Sequence, residues 1–359
     1  MSFSGIRQPM IAAACVLGLF CCEPVMGQNV SVESAGDAVF IKFHNASCHY
    51  MVPSAINVFN VVTGSCSKKA GDPPQGFVRD ALGHITIFNV PGATSTQPTS
   101  INAQGAIGGH YSVGSSGHAF IRAPDGTFTL FNFIGFDTFV SAINGAGVVT
   151  GSYYYSTEGG YMRAADTFTP VGAPHQANGV VPFDINEVGF ITGVWFQPIS
   201  DVPQGFVRAP DGTEQSFGPG GAYAVVPFAI NRSGAIAGFW RDPVARFSGF
   251  LRAPDGTITS YPYPGSVALV GPRFTSRSSS GVLGGINAAG TVTGTYLDSN
   301  KASHGFVRTP DGVITTFDLG GGDTAAVAIN DYGIIVGYHR PNSNTSIGYL
   351  RVPQGIIAH

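Results

Sequence analysis

Planar side chains recur at one position of an internal repeat, and they are the residues best suited to gripping a ligand. Tyr111, Tyr153, Trp195, Trp240, Tyr296 and His339 hold that position, with Cys66 in the first copy; both tryptophans of the chain fall there. Aromatic faces stack on sugar rings and peptide side chains, so this set, with the adjacent Arg241, is a candidate ligand-binding rim. Packing between repeats is the competing reading. Tyr154, Tyr155 and Phe196 flank the set.

A second set is cationic: Arg79, Arg122, Arg163, Arg208, Arg252, Arg308 and Arg351. Seven guanidiniums can ring an acidic glycan. They can equally tie turns or bridge repeats, and four precede an aspartate by three residues (Arg122/Asp125, Arg208/Asp211, Arg252/Asp255, Arg308/Asp311).

Catalytic signatures are missing. There is no G-x-S-x-G, H-E-x-x-H, P-loop or G-x-G-x-x-G. Asp298-Ser299-Asn300 resembles half a calcium loop without its glycine or terminal glutamate, so no metal or other cofactor is expected. What remains for acid–base work is a loop-borne pair such as Glu158 with Glu187, or His110 or His339 beside a carboxylate.

Both sets belong to a unit written seven times. An Ile-Asn recurs at Asn57, Asn102, Asn144, Asn186, Asn231, Asn287 and Asn330, at spacings of 45, 42, 42, 45, 56 and 43. An aromatic-apolar-Arg element follows each by 19 to 22 residues; its aromatic is Phe77, Phe120, Tyr161, Phe206, Phe250, Phe306 or Tyr349. Each unit reads as four short β segments, A to D. N-x-x-G turns join A to B, where the asparagine bonds the backbone. PDG-type turns join C to D, with proline presetting φ and glycine supplying the freer position. Segment A ends at Ile-Asn, the rim residue closes B, and the arginine closes C.

Composition agrees with β structure. The 359 residues include 50 Gly and 24 Pro, and only 11 % are charged, which excludes long amphipathic helices. A 43 % apolar chain with net charge −3 can bury a core and offers nothing to nucleic acid or a polybasic membrane site. Residues 1–27 read as a secretory signal peptide: Arg7, an apolar run from Met10 to Cys22, then Val25-Met26-Gly27. A lipoprotein anchor on Cys21 or Cys22 is opposed by Phe20, which stands where a small residue is wanted. In an oxidising compartment Cys48 and Cys66 are a disulfide candidate; two free thiols, or a metal site with His44 and His49, are the alternatives.

The runs GFVRAPDGT and SGHAFIRAPDGT, alternating with INxxGxxxGxY, resemble the bacterial extracellular repeats of the HAF type over residues 53–355. The resemblance implies export and a propeller-like fold, and carries over no catalytic or binding residue.

The sequence therefore predicts an all-β protein, residues 28–359 forming a seven-bladed β-propeller of four-stranded antiparallel blades. Blades are expected over 53–90, 98–131, 139–170, 181–217, 225–261, 282–317 and 325–355, with an N-terminal strand at 38–43 closing the last. The long 261–285 crossing, with Arg273, Phe274 and Arg277, is read as a loop of the rim face. The expected function is secreted (extracellular or periplasmic), non-catalytic binding of an extracellular glycan or protein. The alternative is a secreted polysaccharide hydrolase or lyase.

Overall fold

In the computed structural model, residues 28–133, 135–155, 158–172, 177–262, 264 and 284–356 are described. Residues 1–27, expected to be a signal peptide, and nearly all of the long crossing, including Arg273, Phe274 and Arg277, lie outside them. The described chain is built of β-strands, and no helix in it is long and apolar enough to cross a membrane.

A hairpin, β1 (Gln28–Ala35) and β2 (Ala38–Asn45), opens the chain. Antiparallel meanders follow: β3 (Tyr50–Ile56), β4 (Val62–Ser67), β5 (Gln75–Arg79) and β6 (Ile85–Phe88); then β7 (Ser95–Ile101), β8 (Ile107–Val113), β9 (Ser116–Arg122) and β10 (Phe128–Phe131). Next come β11 (Asp137–Ile143), β12 (Val149–Tyr154), β13 (Glu158–Ala164) and β14 (Thr167–Val171), and β15 (Gly179–Ile185), β16 (Ile191–Phe196), β17 (Pro203–Arg208) and β18 (Glu214–Phe217). After these run β19 (Ala224–Ile230), β20 (Ile236–Arg241), β21 (Phe247–Arg252) and β22 (Ile258–Pro262), and β23 (Gly284–Ile286), β24 (Val292–Leu297), β25 (Ser303–Arg308) and β26 (Ile314–Phe317). Finally β27 (Asp323–Ile329), β28 (Ile335–Asn342) and β29 (Thr345–Pro353) pair in order, and β29 pairs with β2, Ala38 opposite Pro353 and Phe43 opposite Gly348.

The hydrogen-bonded sheets are larger than isolated meanders. One parallel bridge, Ser346 to Tyr50, fuses the last meander to the first, and another, Glu158 to Gly179, fuses the third to the fourth. In six of the meanders the first strand starts one to three residues before its expected position, whereas β23 is described from Gly284. In those six a β-bulge interrupts this strand, for example between Pro182 and Asp184, and pairing continues beyond the bulge.

The core lies between neighbouring meanders. The third-strand aromatics Phe77, Phe120, Tyr161, Phe206, Phe250, Phe306 and Tyr349 are all fully buried. Several sit over a second-strand glycine: a Cβ on Gly64 would meet the Phe77 ring at 2.8 Å, and one on Gly193 the Phe206 ring at 3.0 Å. The glycine is needed for close approach rather than flexibility. Where the aromatic is tyrosine its hydroxyl finds a carbonyl, Tyr161 to Phe139 and Tyr349 to Ala325. The PDG turns carry their glycines at positive φ, 96° at Gly126 and 92° at Gly212.

Candidate functional site

The repeated asparagines do more than close their own turns. Each Oδ1 accepts an N–H four residues on, as Asn57 does from Val61 and Asn330 from Ile334. Each Nδ2 then donates to the main-chain carbonyl of the next repeated asparagine, at 3.0 to 3.3 Å, from Asn57 through Asn102, Asn144, Asn186, Asn231 and Asn287 to Asn330. Asn330 donates back to Asn57 at 3.2 Å. Six of the seven, all but Asn287, line a mouth of about 530 Å³, beside Glu187, Arg232 and Asp331. Glu187 and Asp331 each brace the preceding turn, accepting from Gly145 and Ala288.

The arginines are not free to ring an anion. Arg79, Arg163, Arg208, Arg252, Arg308 and Arg351 are buried. Six guanidiniums lie over an aromatic of the preceding outer strand: Arg79 on Phe43 at 5.1 Å, Arg122 on Phe88 at 4.7 Å, Arg163 on Phe131 at 4.4 Å, Arg252 on Phe217 at 5.1 Å, Arg308 on Tyr261 at 4.7 Å and Arg351 on Phe317 at 5.2 Å. The corresponding outer-strand residue before Arg208 is Val171, opposite Gly160 as Phe217 is opposite Gly205. There Arg208 meets Glu214 at 3.5 Å instead, and Glu214 accepts the Gly172 N–H. Burial lowers Arg79 to about 10, against the opposing pull of Asp80.

The expected i,i+3 Arg–Asp ties are absent at the four PDG turns. Those arginines donate to the carbonyl of the following residue, as Arg122 does to Ala123. The aspartates cap their own turns: Asp125, Asp211 and Asp255 accept from Thr127, Thr213 and Thr257. Only where the PDG is missing does such a pair form, Arg163 with Asp166 at 2.7 Å.

The rim position is uneven. Cys66 is consumed in a disulfide with Cys48, which leaves neither sulfur for a metal. Tyr111 is buried and stacked on His118; His339 is buried against Thr324 and Asp323, and burial, then Lys42, hold it below its ordinary value. Tyr153 stacks on Phe133 at 4.2 Å and lies 6.0 Å from Phe136, Tyr155 also rests on Phe136, and Tyr296 lies 5.2 Å from the His304 ring. Trp195 and Trp240 are half-buried, their indole N–H groups donating to Ser216 and Ser260. Beside Trp240, Arg241 lies 4.5 Å from the centre of the exposed Tyr223 ring; Val244, four residues after Trp240, and Ile199, four after Trp195, are exposed too.

Glu158 and Glu187 do not meet. Glu158 starts β13 at the rim end, opposite Tyr154, whereas Glu187 follows Asn186 in the turn at the other end of the strands. His110 is buried against Phe139, 5.3 Å between rings, with no carboxylate bonded to it. Two other imidazoles meet carboxylates: His84 Nδ1 lies 2.9 Å from Asp80 within one turn, and His304 lies between two, its Nε2 3.4 Å from Asp298 and its Nδ1 3.2 Å from Asp318. Asp298 also accepts from Asn300 and Ala302, a capping role rather than a calcium loop. His304 went unnoticed because its partners lie on either side of β25 in sequence, with no motif spacing. Among the described residues no group of three His, Cys, Asp or Glu is placed to hold a metal.

No family model matches the chain, and no curated protein matches it. Solved structures do. A streptogramin B lyase aligns over 92 % of this chain and 99 % of its own, with a TM-score of 0.56 and 12 % identity. The virginiamycin B lyase of Staphylococcus aureus aligns over 90 % and 99 %, at 0.55 and 10 %. A structure from a study of two prolyl endopeptidases aligns over 92 % of this chain and 55 % of its own, at 0.52 and 10 %. At such identities the likeness shows the fold alone: the chain is all-β and folds as a β-propeller.

Proposed function

We propose that the chain is an exported, seven-bladed propeller of four-stranded blades, related to the HAF-type repeat proteins, that binds an extracellular glycan or protein without chemistry. In this reading residues 1–27 direct export, β2 serves as the outer strand of the seventh blade, and β1 adds a fifth. The observation that carries the binding role is the pair of tryptophans at equivalent positions of blades 4 and 5. There Trp195 and Trp240 are tethered by their indole N–H groups yet half-exposed, and Arg241 stacks on exposed Tyr223. Rigid aromatics with one fixed edge give contact area at low entropic cost. A glycan array and a pull-down with wild type and the Trp195→Ala/Trp240→Ala variant test it. A partner retained by wild type and lost by the folded variant supports the reading; no partner, or one held equally by both, overturns it.

A polysaccharide hydrolase or lyase is the second reading, favoured by Asp298 and Asp318 bracketing His304. It requires turnover of a polysaccharide that His304→Ala abolishes.

A further inference from the structure

The centre of the propeller holds a second cavity, about 310 Å³, lined by the innermost strands. It is separated from the asparagine-lined mouth by the isoleucines that precede those asparagines; Ile101, Ile143, Ile286 and Ile329 border both spaces. The cavity has the size of a small-molecule pocket.

Its lining is amphipathic. Ser100, His110 and Ser141 bring polar atoms from β7, β8 and β11; Phe183 and Phe228 bring phenyl rings from β15 and β19. The Ser100 Oγ, Ser141 Oγ and His110 Nδ1 are buried with no partner in the protein, and His110 as a whole is only 6 % exposed. Buried polar atoms left unpaired are costly, and three in one cavity point to something that pairs them.

Asp184 lines the same cavity and departs from its repeat column. It follows the bulge of β15, opposite Thr192. The residues in register with it elsewhere are Ala55, Ser100, Ala142, Ala229, Gly285 and Ala328. Six blades fold with a small residue there, so the fold does not call for a carboxyl. Asp184 accepts from Ile185 and, across blades, from Ile230, which leaves lone pairs on both oxygens unused. Protein surrounds it, and the surface it retains opens into the channel. No cation lines the cavity: His110 is the other titratable group there; burial pushes it down to about 4 and Asp184 up to about 7, so above pH 7 the imidazole is neutral and the carboxyl ionised, and an ammonium beside Asp184 favours that ionised form.

We propose that this cavity binds a small organic cation, a molecule with an ammonium group and at least one hydroxyl. The Asp184 carboxylate takes the ammonium beside the Phe183 and Phe228 rings, and the hydroxyl pairs with Ser100, Ser141 or His110. A carboxylate in a cavity that also holds phenyl rings can give an ammonium both an ion pair and cation–π attraction. The unpaired serines and imidazole supply the polar complement that a bare hydrophobic amine would leave unmet.

The test uses ligand-observed NMR and calorimetry on the full mature chain. Three cations are compared with uncharged mates: ethanolamine with ethylene glycol, choline with 3,3-dimethylbutanol, glucosamine with glucose. At least one cation is expected to bind, and its mate to bind about thirtyfold or more weaker. Asp184→Asn keeps an acceptor for one of the two backbone N–H groups, removes the charge, and is expected to lose that preference. Ser141→Ala, which leaves the charge, is expected to weaken binding severalfold while preserving it. If Asp184→Asn does not fold, the cation-against-mate comparison and Ser141→Ala decide. No binding of any cation at roughly 10 mM, mates bound equally, or a folded Asp184→Asn with unchanged preference overturns the proposal. Trp195 and Trp240 are not involved, so failure here leaves the rim reading standing.

Discussion

The side-chain amide of Asn330 donates to the carbonyl of Asn57, 273 residues earlier in the chain, at 3.2 Å. Its Nδ2 also lies 2.8 Å from the Asn60 Oδ1, and Asn60 stands where the other repeats have glycine. The first and last units thus meet at the mouth through two bonds, as many as join the Asn144/Asn186 and Asn287/Asn330 turns that Glu187 and Asp331 brace, at the seam where the chain has no covalent continuity.

Asparagine replacement measures this circle. Each Asn→Ala substitution breaks an intra-turn bond and a bond to the next blade, and leaves a buried carbonyl short of a donor. Losses of about 1–3 kcal/mol are expected in denaturant unfolding for Asn144→Ala and for Asn330→Ala. Asn60→Gly removes the second seam bond but relieves a residue held at φ 61°. It is expected to stay within about 1 kcal/mol of wild type.

The arginine stacks predict coupling between blades. In a double-mutant cycle, Arg252→Met with Phe217→Leu is expected to show an interaction of about 1 kcal/mol. Arg208 with Val171 should show none, because its partner is Glu214. Equal coupling at both places would contradict the assignment.

Much of this was legible in the sequence. The Asn and Arg columns fix the segments, because a tight turn and a stacked cation each demand one residue type at one place. The outer-strand aromatics Phe88, Phe131, Phe217, Tyr261 and Phe317 form a column as well. Their partners, however, lie in the next unit, and spacing within a unit cannot reveal contacts between units. β1 was missed because its exposed Val30 and Val32 bury little and leave a weak pattern. The bulges were invisible, since an extra residue such as Phe183 or Phe228 looks like any apolar strand residue. Asp184 was visible as the lone carboxyl in a column of small residues, but its meaning depends on the cavity it borders. The rim column lies at the ends of the second strands, yet Tyr111 and His339 are buried there while Trp195 stays half-open.

Two buried groups oppose each other with pH. Burial raises Asp184 to about 7, against the backbone donors Ile230 and Ile185. Folding therefore retains a proton that the unfolded chain gives up near 3.8, and this contribution is lost as pH rises from about 4 through about 7. Burial lowers His110 to about 4 from 6.5, so its contribution is present above 6.5 and lost as pH falls through 4. His44 and His339 are lowered too and act with His110. In urea titrations, Asp184→Asn is expected to gain stability with pH across this window relative to wild type, by up to about 4 kcal/mol. His110→Gln is expected to lose stability with pH. The same slope in both variants would contradict the account.

The Cys48–Cys66 bond ties the β2–β3 connection to β4, with 18 residues of separation. Reduction, or the Cys48→Ser/Cys66→Ser pair, is expected to cost roughly 3 kcal/mol. The loss should fall on global unfolding, because the closing strand and the first blade come apart together.

Closure by β2 is the claim on which the rest stands, and amide hydrogen exchange on the intact chain tests it most directly. The account predicts that amides in residues 38–43 are as slow as those of β29 and of inner strands such as β16, all exchanging through global unfolding. Exchange in 38–43 as fast as in the exposed turns, with β29 still protected, would contradict it.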